Sequence, residues 1–439
     1  MDISIQNAAR TQFCGFRHGA GSLPGQPFET VPGILTAPNI IVLGASIMSA
    51  GFGGSSTLRS GLQDYAWAAG FTGTLHTRAA SGDNIADTRA RLADIKADPV
   101  LQATEGQNLY IVHTGGNNVS GPRPYPGGAD TFTADYDSLM QDITSTDAVI
   151  PLPLTKRLYV AEPQVLDGDV ASEENGSKPY NENIIYPAID QYAPDWRAAG
   201  QVPYANPYAL ADRWPQLLSE DGVHGYSASI ARFILAHIAA RAMGRASGQS
   251  RSGMSILYSP QKGSPDEIGI GPINRMVSNG NGRYLNYPLL CGAIALDGGF
   301  EPFIEVTTND VFQNASTNAG ADTYARIADT RFHDLGIVNQ GIYVQEAQVY
   351  ELEFGQLTPG DTVRVSAVGV RNSGGASRRG VISLSDGQSL ELDASNIAGS
   401  NQVTFAPVTV PSDGRLTLGL SVAAGSTYGY LHGVLLEFL

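Results

Sequence analysis

Cysteine is nearly absent. Cys14 and Cys291 are the two in 439 residues, too few for a disulfide framework, and they leave the redox compartment open. Long hydrophobic runs are missing as well: no apolar stretch reaches the roughly 18 residues of a spanning helix. The amino terminus, MDISIQNAARTQFCGFRHGAG, has neither the basic start nor the apolar segment of a secretory signal, so an export signal is expected either to have been removed or not to have been needed. Charged residues make up 16% of the chain, against a usual quarter or so, which excludes a charged coiled coil; hydrophobic residues make up 42%, which excludes a disordered chain. Positive charge is the scarcest kind. Twenty-seven Lys and Arg against 42 Asp and Glu give a net charge of −15, and no basic run supplies the stripe that nucleic-acid binding needs. No nucleic-acid partner is expected, and docking on an anionic membrane is disfavoured.

Glycine and proline are plentiful instead, at 51 and 25 residues, and they imply many turns and short strands. The length suits two or three domains. Residues 1–35 read as a polar amino-terminal arm. From Asn39 the pattern changes: NIIVLGAS is a short β-branched run ending in small residues, the mark of a buried parallel strand entering a turn. NLYIVHTGG (108–116) and RLYVAEP (157–163) repeat the strand pattern, with helical periodicity at 85–95, 133–143 and 227–243. Alternating strands and helices predict an α/β domain over 36–245, with a parallel sheet covered on both faces. GRASGQSRSG (244–253) marks a boundary, 246–299 is expected to be a linker and connecting segment, and 300–439 breaks into short β-rich runs between turn residues, the pattern of an all-β sandwich. No repeat of solenoid or propeller period is present.

Four short blocks carry candidate chemistry. Ser46 closes Gly44-Ala45-Ser46 at the expected carboxyl end of the first strand, where open α/β sheets bind ligands. Taken alone it reads more readily as a turn whose serine caps a helix. Asp221 and His224 precede the last helix of the domain, and no other of the seven histidines has Asp three positions before it. A serine hydroxyl needs an imidazole base and an acid to fix the imidazole tautomer, and one loop with this spacing presents both. A capping Asp beside a surface His is the plain alternative. Gly82, and Asn117 within Gly115-Gly116-Asn117-Asn118, supply a loop N–H and a carboxamide of the kind an oxyanion hole uses. A turn glycine and a loop asparagine bonding its own backbone are their structural readings.

In order, Ser46, Gly82, Asn117 and Asp221/His224 resemble the four blocks of the SGNH hydrolases, the GDSL-like esterase superfamily, over roughly residues 36–245. The first block reads Gly-Ala-Ser in place of Gly-Asp-Ser, and the third GGNN where Gly-x-Asn-Asp is common. The resemblance implies a flavodoxin-like three-layer fold and a serine esterase. In that scheme Ser46 is the nucleophile, His224 the base and Asp221 its orienting acid, and the oxyanion rests on the N–H groups of Ser46 and Gly82 and on the Asn117 amide. No cluster has zinc spacing, so no metal or cofactor is expected. Residues 300–439 are similar to galactose-binding-like or carbohydrate-binding jelly-roll sandwiches. Beside an esterase they imply a polysaccharide or other esterified glycan as substrate, and an O-acetyl group as the ester removed. Two alternatives stay open: a phage or virion spike or tail component that binds surface glycans, and a lipase- or thioesterase-like enzyme of longer acyl chains. An extracellular or virion-associated setting is expected over a cytoplasmic one, and self-association is open. The loop 119–130 and Trp196, Tyr204, Tyr208 and Trp214 read as cleft lining or as packing.

Overall fold

The computed structural model describes residues 35–53, 56–119, 128–154, 180–192, 227–242, 249–262, 273–278, 289–297, 299–309, 312–316, 321–371, 378–395 and 401–439. The chain divides into two compact units, Met1–Ala246 and Ser247–Leu439.

The first unit is α/β. Its parallel strands are β1 (Asn39–Gly44), β2 (Thr74–Thr77), β3 (Leu109–His113) and β4 (Ala148–Pro151), in the order β2-β1-β3-β4. Every residue of β1 and β3 is buried, which is why both read as continuous apolar runs: a parallel strand covered on both faces has no solvent side on which to place polar residues. Each isoleucine, leucine or valine so buried contributes about 1.5–3 kcal/mol relative to exposure. The helices are α1 (Ser46–Gly53), α2 (Ser56–Ala68), α3 (Ile85–Lys96), α4 (Pro99–Gln102), α5 (Gly116–Val119), α6 (Gly128–Thr144), α7 (Tyr186–Tyr192, after a π turn) and α8 (Ser227–Ala242). They form two packing groups. α1 packs on α2, α8, β1 and β2, whereas α3 packs on α4 and α6, and α7 on α6 and β4.

The expected strand at 157–163 lies outside the described residues, as do Asp221, His224, Trp196, Tyr204, Tyr208 and Trp214. Two strands passed unread in the sequence, β2 and β4. Each is only four residues long, and β2 keeps polar residues at Thr74, His76 and Thr77. Such runs are too short to stand out from turns by periodicity.

The second unit is all-β. Its strands are β5 (Ser255–Lys262), β6 (Ile273–Ser278), β7 (Leu289–Ile294), β8 (Phe300–Thr308), β9 (Gln313–Ser316), β10 (Gln340–Gln345), β11 (Tyr350–Gly355), β12 (Thr362–Val368), β13 (Arg379–Leu384), β14 (Ser389–Asp393), β15 (Gln402–Thr404), β16 (Val408–Thr409), β17 (Leu416–Val422), β18 (Tyr428–Leu431) and β19 (Gly433–Phe438), with a short helix, α9 (Leu335–Asn339), before β10. One sheet runs β14-β13-β17-β11-β8-β7, a second β15-β12-β19-β5-β6 with β16 on β12, and a third β18-β10-β9. All pairs are antiparallel except β5 with β6. Alternating residues such as Ile304 and Val306, Leu352 and Phe354, Val363 and Val365, and Leu418 and Leu420 form one apolar core. Period-two patterning puts them on a single face.

Residues 246–299 do more than connect. They contribute β5, β6 and β7, and β5 pairs with the last strand of the chain. Arg251, within the Gly/Ser-rich stretch read as a boundary, is buried and donates to Glu301 at 3.1 Å, Thr358 Oγ1 at 2.9 Å and the Gln356 carbonyl at 2.9 Å. One buried ion pair, backed by hydrogen bonds from both Nη atoms, ties this stretch into the sandwich. Composition alone gave no sign of it.

Candidate active site at the carboxyl ends of the parallel strands

The strand order places a topological switch at β1 and β3. From β1 the chain moves outward one way to β2 and the other way to β3 and β4, and open α/β sheets bind ligands in the crevice beyond the carboxyl ends at such a point. The loops after β1, β2 and β3 carry Ser46, Gly82 and Asn117, so three of the blocks read from the sequence emerge from three adjacent strands.

Gly44 makes this close approach feasible. It pairs with His113 across β1 and β3, at φ +145°, and a Cβ there would lie 2.0 Å from the His113 carbonyl oxygen. No side chain fits. The Gly44 carbonyl accepts from the Ala80 N–H at 3.1 Å, holding the loop after β2 against the end of β1. Ser46 then opens α1, partly buried, at the helix amino terminus, where backbone N–H groups lack intrahelical partners and the helix dipole favours negative charge.

Gly82 is exposed at φ +87°, with nothing within 4 Å of where a Cβ would stand. The conformation, not space, demands glycine here. Asp83, next in sequence, is buried and accepts from Arg91 through both oxygens: Nε donates to Oδ2, and Nη2 to Oδ1 at 3.1 Å. Asn84 caps α3 in a reciprocal box with Asp87, each side chain accepting from the other's backbone N–H at 3.1 Å.

The loop after β3 is bound to the same turn. The Asn117 Nδ2 donates to the Asp83 carbonyl at 2.8 Å, and the Asn118 Oδ1 accepts from the Ile85 N–H at 3.1 Å. Beneath them the hydroxyls of Thr88 and Thr114 meet at 2.7 Å, both buried. A carboxamide has two N–H donors, and one of those of Asn117 holds the Asp83 carbonyl. Gly115, at φ +103°, lets the strand turn into α5 against Phe132. His113, the last residue of β3, is fully buried, and burial pushes its pKa down to about 4.

The structure thus brings Gly82 and Asn117 together through Asp83 and sets Ser46 at the start of α1, just beyond the strand that lies between β2 and β3. Asp221 and His224 lie outside the described residues. Sequence reasoning missed the fastening groups, Asp83, Arg91 and Asn118. The asparagine at 84 followed by an acid three positions on is the capping signature that was there to be read. Among the described residues no group of three or more His, Cys, Asp or Glu is placed to hold a metal ion, and no helix is long and apolar enough to cross a membrane.

No family model matches the chain, and no curated protein sequence matches it. Solved structures do. An acetyl xylan esterase is 17% identical, with 46% of this chain and 97% of that one covered, at a TM-score of 0.33. A lipase/acylhydrolase from Enterococcus faecalis is 16% identical, with 48% and 98% covered, at 0.34. A two-domain esterase active on acetylated mannans, co-crystallised with mannopentaose, is 12% identical, with 90% and 89% covered, at 0.27. In its ordered sequence blocks and in its parallel sheet the first unit resembles the SGNH hydrolases, the GDSL-like esterases, and it is followed by an all-β sandwich.

Proposed function

We propose that the protein is a serine ester hydrolase of the SGNH type that removes O-acetyl groups from a polysaccharide. The observation that carries this reading is the fastening of Asn117 to the residue after Gly82, on loops that flank Ser46 at the switch point. In the proposed reaction Ser46 Oγ attacks the ester carbonyl while His224 takes its proton, and Asp221 holds the imidazole in the required tautomer. The tetrahedral oxyanion is met by the N–H groups of Ser46 and Gly82 and by the Asn117 amide, donors held in place before charge develops on the substrate. His224 returns the proton to the departing sugar hydroxyl, leaving an acetyl-serine. A water molecule deprotonated by His224 then releases acetate and restores Ser46. The glycan as substrate class is supported by the sandwich pattern of the second unit.

The test compares hydrolysis of p-nitrophenyl acetate and octanoate by wild type and Ser46→Ala, together with acetate release from acetylated polysaccharides. Acetyl turnover that exceeds octanoyl turnover and falls by about six orders of magnitude in Ser46→Ala is expected. Equal rates in the two proteins would overturn the nucleophile assignment. Preference for octanoate would overturn the acetyl assignment.

A further inference from the structure

The three-stranded sheet of the second unit has two unlike faces. On β10, Ile342 and Val344 are fully buried in the sandwich core, so alternation turns Tyr343 and Gln345 the other way. On β18 the same face takes Tyr428, opposite Gln345, and Tyr430, opposite Tyr343; on β9 it takes Gln313, also opposite Tyr343. The face away from the core of an antiparallel sheet ordinarily carries polar residues. Here it carries three tyrosines, of which Tyr430 is buried with Ala394 and supports the partly exposed Tyr343 and Tyr428.

Their rings form one cluster. Tyr343 and Tyr428 meet edge to face at 5.5 Å, Tyr343 and Tyr430 lie 5.6 Å apart, and Tyr428 and Tyr430 6.3 Å. The Tyr343 hydroxyl donates to Gln313 Oε1, and Gln345 Nε2 reaches the same oxygen at 3.5 Å. Arg378 closes the other end. Its Nη1 donates to the Tyr430 hydroxyl at 2.6 Å, and its guanidinium carbon lies 5.4 Å from the Tyr428 ring centre and 5.8 Å from that of Tyr430. Tyr343, Tyr428, Gln313, Gln345 and Arg378 all stay partly exposed.

From this juxtaposition we infer that the outer face of the β18-β10-β9 sheet binds pyranose units of an uncharged polysaccharide. A pyranose has an apolar C–H face that packs on an aromatic ring and a rim of hydroxyls that both donate and accept. Tyrosine rings match the face, and two carboxamides, each donor and acceptor at once, match the rim. The Arg378 charge already lies over two rings, so it serves as an N–H donor at the edge. A net charge of −15 opposes a polyanion. The inference goes beyond the esterase reading and stands on the sandwich alone.

The experiment uses the full chain carrying Ser46→Ala, so that binding is read without turnover. Affinity electrophoresis through a mannan, a xylan, a galactan and polygalacturonate is run with and without Tyr343→Ala, Tyr428→Ala and Tyr343→Phe. Retardation by at least one of the three uncharged polymers is expected, weakened tenfold or more by each alanine and far less by Tyr343→Phe, with thermal midpoints separating lost binding from lost folding. Equal affinity in all variants, no retardation by any uncharged polymer, or tighter binding of polygalacturonate would overturn it. A change of oligomeric state in Tyr343→Ala without a change in polysaccharide binding would overturn it in favour of self-association. Nitrophenyl acetate turnover by the Tyr343→Ala variant of the wild-type chain is expected to be unchanged, so failure here and failure of the esterase reading are told apart.

Discussion

The two ends of the parallel sheet are both polar and are built on opposite plans. At the amino ends a buried set of side chains closes on itself. Asn39 Nδ2 donates to Thr104 Oγ1 at 2.8 Å and to Asn108 Oδ1 at 3.1 Å, and its Oδ1 meets His76 Nε2 at 2.8 Å. Asn108 Nδ2 donates to the Leu101 carbonyl at 3.1 Å, and Asp147 accepts from the N–H groups of Gly106 and Asn108 at 2.8 and 3.1 Å. At the carboxyl ends positive-φ glycines at 44, 82 and 115 shape the turns, and polar groups tie loop to loop through backbone carbonyls and N–H groups. The first plan holds the strands together; the second holds donors in space above them. Polarity alone therefore does not mark a site. What distinguishes the carboxyl end is that its groups sit on exposed or partly buried loops at the switch point.

Substitutions at the two ends should separate activity from stability. The largest effect is the loss of turnover in Ser46→Ala already described, with an unchanged denaturation midpoint. Next is Asn117→Ala, which removes both the proposed oxyanion donor and the bond to the Asp83 carbonyl. A fall in kcat of about 10²- to 10³-fold, on the scale of a lost oxyanion donor, with KM little changed, is expected from steady-state kinetics on the acetyl ester. A KM effect alone would move Asn117 from oxyanion stabilisation to substrate binding.

One residue at the carboxyl end should behave like those at the other. His113 is buried, and its pKa is pushed down to about 4, from about 6.5 in a free chain. Between those values the unfolded chain takes up a proton that the folded one does not. The stability due to the neutral imidazole is therefore complete above about pH 6.5, falls as pH drops toward 4, and changes no further below that. At about 1.4 kcal/mol per unit this is roughly 3 kcal/mol over the window. All three tryptophans, Trp67, Trp196 and Trp214, lie in the first unit, so urea unfolding followed by tryptophan fluorescence reports on it. His113→Gln should flatten the acid limb of the midpoint curve. An unaltered limb would assign it to other groups.

The positions of three of the candidate blocks were legible because apolar runs had already located the strands: Ser46, Gly82 and Asn117 follow β1, β2 and β3, while the roles proposed for them rest on the chemistry of their residue types. Long elements were equally plain. The helical periodicity of 85–95 became α3, and NIIVLG became β1. Short strands were not, since β2 and β4 are four residues each and carry no period to count. Nor was the fastening of the site, because Asp83 with Arg91, and Asn117 with Asp83, are pairings across eight and 34 positions that no local pattern marks. In the second unit the β-rich runs were read correctly, but Arg251 was lost among glycine and serine because its partner Glu301 is fifty positions away.

Weaker still should be the effects of the groups that only position others. Asn108→Ala leaves Asn39, Thr104 and the Leu101 carbonyl short of partners in a buried setting, and about 2 kcal/mol of stability should be lost with turnover of the folded enzyme unchanged. Smallest is Arg91→Gln. The Arg91 side chain is 43% exposed, while that of Asp83 is only 8% exposed, so the pair is screened from one side and contributes at most about 1 kcal/mol to folding. Its effect on chemistry is bounded by the same figure, since Arg91 acts on the proposed oxyanion site only by holding Asp83, whose carbonyl holds Asn117. One kcal/mol corresponds to about a fivefold change in rate. Arg91→Gln should therefore lower kcat by up to about fivefold with KM and the unfolding midpoint nearly constant, and Arg91→Lys should recover part of the loss through one hydrogen bond in place of two. A midpoint shift as large as that of Asn108→Ala, with kcat intact, would put Arg91 among the residues that hold the strands together and erase the distinction between the two ends at this position.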